Sequence, residues 1–300
     1  MITVGQAKPE RRELRAIVGA YVLLMKPWIV ALLVMTTLCA MFIAARGAPP
    51  LSLIVITLLG SICAAGGANA FNSWYDRDVD KLMERTARRP IPAGRISARH
   101  ALAFALTLCG LSVAIFGVWV NGLSALLALT GIFYYGWFYT MVLKRTTPQN
   151  IVVGGGAGAI PPLVGYVAVT GELDLLAVYL FAIIFLWTPP HTWALMLLVE
   201  KDYFRAAIPV MPVAWGAAEA RKQSLLYALL LFFFTIMPVA FSSLGMFYLI
   251  AAVLLSSWFV YLCVLLIRCA DKATARRLYK YSNYYLALLF LAMVIDAAVI

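Results

Sequence analysis

Polar and apolar positions fall in long blocks along this chain, not in the two-residue alternation of a half-buried strand. Apolar runs of about 18 to 25 residues, bounded by charged or turn-forming residues, read as helices long enough to cross a bilayer. The pattern predicts nine spans, at 27–44, 51–71, 101–120, 123–143, 151–169, 175–199, 223–242, 246–267 and 279–299. Connections on one side are short. On the other side, those after the second and sixth spans are long and rich in charge and proline, so chemistry is expected there.

Composition agrees with this pattern. The chain is 64% hydrophobic and 12% charged, with a mean hydropathy of +0.92. A soluble domain needs about a quarter of its residues charged, and the lack of strict alternation argues against a barrel. The expected fold is an all-α integral membrane protein, nine transmembrane helices in a single bundle. One domain covers 1–300, and residues 1–16 form a polar N-terminal segment.

The 24 Lys and Arg residues split 23 to 1 between alternate sides of the nine predicted spans. Basic residues stay in the cytoplasm. The rule therefore predicts a cytoplasmic N-terminus, a periplasmic C-terminus and long loops that face inward. The net charge of +11 is then mostly a topology signal, with a share for anionic ligands and lipid headgroups, and no nucleic-acid partner is expected. Residues 1–16 hold Glu10 and Glu13 and no apolar run, which disfavours a secretory or organellar leader and favours a bacterial inner membrane. The five cysteines (Cys39, Cys63, Cys109, Cys263, Cys269) form no CxxC pair and read as packing residues.

The sharpest chemical signal is NSWYDRDVD, where Asn72, Asp76 and Asp80 recur every four residues at the end of the second span. On a helix this spacing turns all three toward one ligand, with Asp78 on another face. Arg77, Lys81, Arg85, Arg88 and Arg89 follow. Carboxylates beside guanidinium groups suit a metal-bridged polyphosphate, and magnesium tolerates a site with one or two carboxylates. The competing reading is a solvated helix end whose charges pair with one another. Lys144 and Arg145 end the fourth span on the same side and could be membrane anchors or anion ligands, with Tyr139 deeper in the span. Lys201, Asp202 and Arg205 pose the same choice in the second long loop. The two long loops are weakly alike and allow a degenerate internal repeat.

His191 lies inside the sixth span, in LWTPPHTWALMLL, where an ionisable side chain is costly without a role. It could be a general base, a hydrogen-bond donor, an axial ligand to a metalloporphyrin or a satisfied core histidine. Gly154 and Gly158 in GGGAGAIPP read as a close helix contact. Pro161, Pro162, Pro189 and Pro190 are expected to kink or break their helices and open a cavity. Asp296, near the outer end of the last span, has no evident partner.

Asn72-x3-Asp76-x3-Asp80 near the inner end of the second of nine spans resembles the first aspartate-rich motif of the UbiA superfamily of intramembrane prenyltransferases. LMKPWIVALLVMTT at 24–37, DRDVDKLMERTARRPIPAG at 76–94, YTMVLKRTTPQNIVVGGGAGAIPPLVGY at 139–166 and LWTPPHTWALMLLVEKDYFRAAIPVMPV at 186–213 extend the likeness over nearly the whole chain. They are most similar to the members that farnesylate protohaem IX. The resemblance implies nine helices around a central cavity and a magnesium-dependent site on the cytoplasmic side. It also implies farnesyl diphosphate as donor, protohaem IX as acceptor, and haem O and diphosphate as products. One departure is plain: most members carry a second DxxxD after the sixth span, whereas Asp202 is followed four later by Ala206.

In the reaction so implied, Asp76 and Asp80 hold Mg2+, with Asn72 and Asp202 as further candidates. Arg85, Arg88, Arg89, Lys144, Arg145, Lys201 and Arg205 neutralise the diphosphate. Trp74, Tyr75, Tyr139 and Trp193 are candidates to line the cavity and stabilise an allylic cation. His191 could orient water, take its proton or hold the haem. A downstream haem-modifying enzyme is a conceivable partner beside the lipid bilayer. The alternatives are an aromatic or quinone-precursor acceptor and, in another class, a transporter. The missing second DxxxD opposes the first, and the one-sided distribution of charged motifs opposes the second.

Overall fold

A computed structural model describes residues 9–241 and 244–299, with side chains from Glu13 onward. Helices follow in the order α1 (Pro9–Leu24), α2 (Pro27–Ala45), α3 (Leu51–Tyr75), α4 (Arg77–Asp80), α5 (Ala98–Trp119) and α6 (Gly122–Phe133). Next come a π-helix (Tyr134–Leu143), α7 (Lys144–Thr146), α8 (Asn150–Thr170), α9 (Leu175–Leu198) and α10 (Glu200–Arg205). The chain ends with α11 (Met211–Ala214), α12 (Ala217–Ala240), α13 (Met246–Cys269) and α14 (Lys272–Val299). Among the described residues nine helical segments are long and apolar enough to span a membrane, the fourth being α6 through α7. These match the nine predicted spans.

Each spanning helix packs on the next in chain order, and α14 returns to α2, closing a ring. The ring is crossed by α2 against α8 and α9 against α14. The crossing of α2 and α8 is close because Gly165 lies against the Thr37 backbone carbonyl, where a Cβ would overlap it. Thr37 also donates to the Pro161 carbonyl at 3.2 Å. The core centres on α9 and α14, with Trp193, Tyr248, Tyr285, Phe259 and Phe290 fully buried.

Several expectations need correction. The N-terminal polar segment is helical from Pro9: α1 is amphipathic, burying Ala20 and Leu24 against Ile96, Ala101 and Ala105 while Leu14, Ile17 and Val18 stay exposed. No long apolar run announces such a helix. Residues 1–8 lie outside the described residues. α12 and α14 begin at Ala217 and Lys272, a turn or two before the apolar blocks, because helices extend past the hydrocarbon into water. The paired prolines do not break α8 or α9, both of which run through them. The glycine contact is made by Gly154, Gly155 and Gly156 against Tyr139, Thr188 and Tyr134, whereas Gly158 meets nothing within 4 Å.

Asp296 has a partner after all. Its carboxylate accepts from the backbone N–H groups of Gly245 at 2.5 Å and Tyr248 at 3.0 Å, capping the first turn of α13 from a distant helix. The carboxylate is buried, and orphan helix-start donors in an apolar setting are costly. Asp296→Ala is expected to destabilise the protein by roughly 1 to 3 kcal/mol, read as a lower melting temperature in detergent, while Asp296→Asn keeps one acceptor and part of the stability.

Candidate active site

The triad straddles a helix end. α3 stops at Tyr75 and a single turn, α4, follows, but hydrogen bonds from Asp76 N to Asn72 O (2.9 Å) and from Asp80 N to Asp76 O (2.8 Å) continue the four-residue ladder. Helical spacing therefore survives the break. All three side chains are buried, at 3%, 0% and 2% exposure. Asn72 Nδ2 donates to Asp76 Oδ2 at 2.8 Å and to Thr140 Oγ1 at 3.1 Å. Asp76 Oδ1 is buried without a hydrogen-bond donor.

Both carboxylates are held by the chain's own cations. Lys144 Nζ donates to Asp76, and Arg89 Nη1 reaches both oxygens of Asp80 at 2.9 and 2.8 Å. Arg145 lies 3.5 Å from Asp76 but makes its bidentate pair with exposed Asp78, at 2.9 Å to each oxygen. That pairing holds the Asp78 carboxyl below the usual aspartate range. The Arg145 guanidinium also covers the Tyr75 ring at 4.7 Å.

Lys26 belongs to this site, and sequence reasoning missed it. It sits between α1 and α2 at φ 56°, donates to Asn72 Oδ1 at 2.6 Å and lies 6.0 Å from the Tyr135 ring centroid. Burial pushes its ammonium well below the ordinary lysine range, the charges of Arg89 and Lys144 adding to the effect and those of Asp76 and Asp80 opposing it. Its only signal in the sequence was a lysine against Pro27 at a span boundary, which reads equally well as an anchor.

The fourth span was expected to be uniformly α-helical. Instead Tyr134–Leu143 form a π-helix, and Thr140 Oγ1 bonds back to Tyr135 O at 2.7 Å. Such widening recurs at functional sites. Here it brings Tyr135 and Tyr139 into a stack 5.5 Å apart, with both rings lining a cavity.

That cavity has a volume of about 490 Å³ and lies between α2, α3, α6, α8, α9 and α14. Its wall is mostly apolar, and its polar points include Ser61, Asn69, Tyr135, Tyr139, Thr188 and His191. Asn69 Oδ1 and Ser61 Oγ are buried without partners. Asn69, three residues and so nearly one turn before Asn72 on α3, was overlooked in the sequence because it falls outside the four-residue step of the triad.

His191 lies in this wall, its ring stacked 4.2 Å from Trp187 and 5.0 Å from Tyr279. Its Nδ1 is 2.6 Å from Ser282 Oγ.

The other predicted residues divide. Arg85, Arg88 and Lys201 are exposed. Arg205 pairs with Glu84 at 2.5 Å, joining the two long loops through two exposed side chains. Asp202 is half-buried and makes no side-chain hydrogen bond or ion pair among the described residues. Trp74 packs on Phe71 with Arg77 over its ring, away from the cavity. Trp193 is also a correction: it is fully buried against Tyr227 in the core between α9 and α12, because α9 turns that face away from the cavity.

No group of three or more His, Cys, Asp or Glu suited to a metal is found among the described residues. The chain offers two carboxylates beside bound cations, one carboxylate oxygen lacking a donor. Such a set fits a magnesium ion that keeps phosphate oxygens as its other ligands and would not by itself enclose one.

The family model for the UbiA prenyltransferase family matches residues 33–293. A protoheme IX farnesyltransferase of Chloroflexus aurantiacus is 50% identical over 95% of this chain and 49% of its own. One of Symbiobacterium thermophilum is 46% identical over 96% of this chain and 97% of its own. The chain thus spans about half the length of the first relative and nearly all of the second. Among solved structures, a digeranylgeranylglyceryl phosphate synthase superposes with a TM-score of 0.79 at 17% identity, over 95% of this chain and 99% of that one. A UbiA homologue from Archaeoglobus fulgidus bound to GPP and Mg2+ gives 0.60 at 18%, over 91% and 99%. By the match across its helices, the chain belongs to the UbiA prenyltransferase family.

Proposed function

We propose that the protein transfers the farnesyl group of farnesyl diphosphate to a vinyl group of protohaem IX, with addition of water, giving haem O and diphosphate. The observation that carries this reading is the meeting of two environments. The buried carboxylates of Asp76 and Asp80, with half-buried Lys144, Arg89 and Lys26 around them, adjoin a largely apolar cavity through Asn69, Tyr135 and Tyr139. The names of relatives such as that of Symbiobacterium support haem as acceptor, and a metal and a prenyl diphosphate bound together in the Archaeoglobus homologue support the donor.

Asp76 and Asp80 would hold Mg2+ against the diphosphate, and the metal would supply charge neutralisation as the leaving group departs. Lys144 and Arg89, once drawn from the carboxylates to the phosphate oxygens, and Lys26, once drawn from the Asn72 amide, stabilise the same growing charge. As the carbon–oxygen bond of farnesyl C1 breaks, diphosphate leaves and an allylic cation forms. The faces of Tyr135 and Tyr139 shield that cation from water. The terminal vinyl carbon of haem bonds to C1, and the new cation beside the pyrrole takes a water oxygen and releases one proton.

The charge split of 23 to 1 supports a cytoplasmic site and N-terminus and a periplasmic C-terminus in a bacterial inner membrane. Purified protein in nanodiscs, given Mg2+, farnesyl diphosphate and either protohaem or 4-hydroxybenzoate, should yield by mass spectrometry only the hydroxyethylfarnesyl haem. A prenylated benzoate would overturn the acceptor, and no product from either would overturn the reaction.

A further inference from the structure

His191 has two ring nitrogens, and which one carries the proton decides what it can offer the cavity. Ser282 settles the matter. Its hydroxyl lies 2.7 Å from the Tyr279 carbonyl, one turn back on α14, and 2.6 Å from His191 Nδ1. A serine has one proton to donate. A hydroxyl turned toward the histidine would leave two oxygen lone pairs facing each other at 2.7 Å. Donation to the carbonyl removes that repulsion and obliges Nδ1 to be the donor to Ser282.

The remaining nitrogen, Nε2, then carries a free lone pair on a residue that lines the cavity. The ring cannot readily turn to exchange the two, because both Trp187 and Tyr279 pack against it. Trp187 is itself tied to α14 by its indole N–H, which donates to the Ser282 carbonyl at 2.8 Å. One residue of α14 thus fixes both the ring and the ring that stacks on it. Histidine ligands that bind metals commonly donate their far N–H to such an oxygen, which sets the tautomer and raises the basicity of the ligating nitrogen.

We infer that Ser282 is a positioning residue that holds His191 as the Nδ1–H tautomer, so that Nε2 offers its lone pair to the iron of the haem acceptor. The inference rests on the proposed farnesyl transfer to haem. It excludes a donor role for His191 toward the cavity. It also explains the asymmetry of the site: carboxylates and cations gather where the diphosphate belongs, and a neutral nitrogen base stands apart on α9, seven residues from the helix end at Leu198. A neutral imidazole there would orient the macrocycle through its iron without itself adding charge to the apolar wall.

The test needs no turnover. Histidine-labelled protein without haem, studied by nitrogen NMR, should show His191 protonated at Nδ1. Ser282→Ala should lose that preference and Ser282→Thr should restore it. A protonated Nε2 in the wild type, or a tautomer indifferent to Ser282→Ala, overturns the positioning role. Ferric protohaem titrated into the same samples should give the absorption and EPR signature of a histidine-bound iron. That signature should be lost in His191→Ala, and haem affinity should fall about ten- to a hundredfold in Ser282→Ala, with recovery in Ser282→Thr. A haem spectrum indifferent to His191→Ala overturns the iron assignment. Failure to bind haem at all, beside an intact Nδ1–H tautomer, overturns the acceptor and with it the iron role, and leaves the tautomer standing.

Discussion

Asp76→Ala is expected to cut farnesyl transfer at least about a thousandfold, equivalent to roughly 4 kcal/mol of transition-state stabilisation, while the protein still inserts and folds as a helical bundle. Asp76 is wholly buried, and among the described residues no group of three acids or histidines exists to replace its carboxylate. Its backbone bond to Asn72 continues the ladder from α3 into α4, and alanine keeps that bond. What alanine removes is the acceptor for Asn72 and for Lys144. A half-buried cation left without its partner is costly, so some loss of melting temperature should accompany the loss of rate. Asp76→Asn separates the two effects, since it keeps volume and one acceptor but cannot serve as an anionic metal ligand. Initial rates in nanodiscs, beside thermal melts of both variants, decide the matter. An asparagine variant within tenfold of the wild-type rate would remove Asp76 from the chemistry.

The spans were legible because a membrane leaves little choice: about 20 apolar residues in a row must become a helix. The triad was legible because four-residue spacing survives even where α3 ends at Tyr75. Other features depend on neighbours distant in sequence and so left no local mark. Lys26 resembles any boundary lysine until α3 brings Asn72 against it. Asp296 seemed stranded because its partners are backbone N–H groups about fifty residues earlier, at Gly245 and Tyr248. The sequence makes Trp193 a cavity candidate only as an aromatic ring near the inner side, yet it lies two residues from cavity-lining His191, two residues along a helix turn about 200°, and it faces the core. The π-helix is the most instructive miss. Nothing in YYGWFYTMVL distinguishes a wider helix from an ordinary one, and the contacts its rings make, Tyr139 against Gly154 and Tyr134 against Gly156, are to another helix.

Lys144→Gln is expected to move two affinities in opposite directions. Without a ligand, the carboxylates of Asp76 and Asp80 are neutralised by Lys144 and Arg89, so a metal must compete with cations already in place. Removing Lys144 leaves the buried Asp76 carboxylate with more unshared charge, and Mg2+ alone should bind about tenfold more tightly, a gain of roughly 1.4 kcal/mol. The same lysine, when displaced, is available to the phosphate oxygens, and its charge there is worth most because the site is shielded from water. Farnesyl diphosphate with saturating Mg2+ should therefore bind at least about tenfold more weakly, and turnover should fall further, since that charge counts most as the leaving group departs. Arg89→Gln should repeat the pattern at Asp80. Calorimetry with Mg2+ alone, then with farnesyl diphosphate at saturating Mg2+, reads both signs. If the two affinities fall together, Lys144 only supports the shape of the site; if they part, the chain's own ion pairs are the counterions that metal and diphosphate exchange for on arrival.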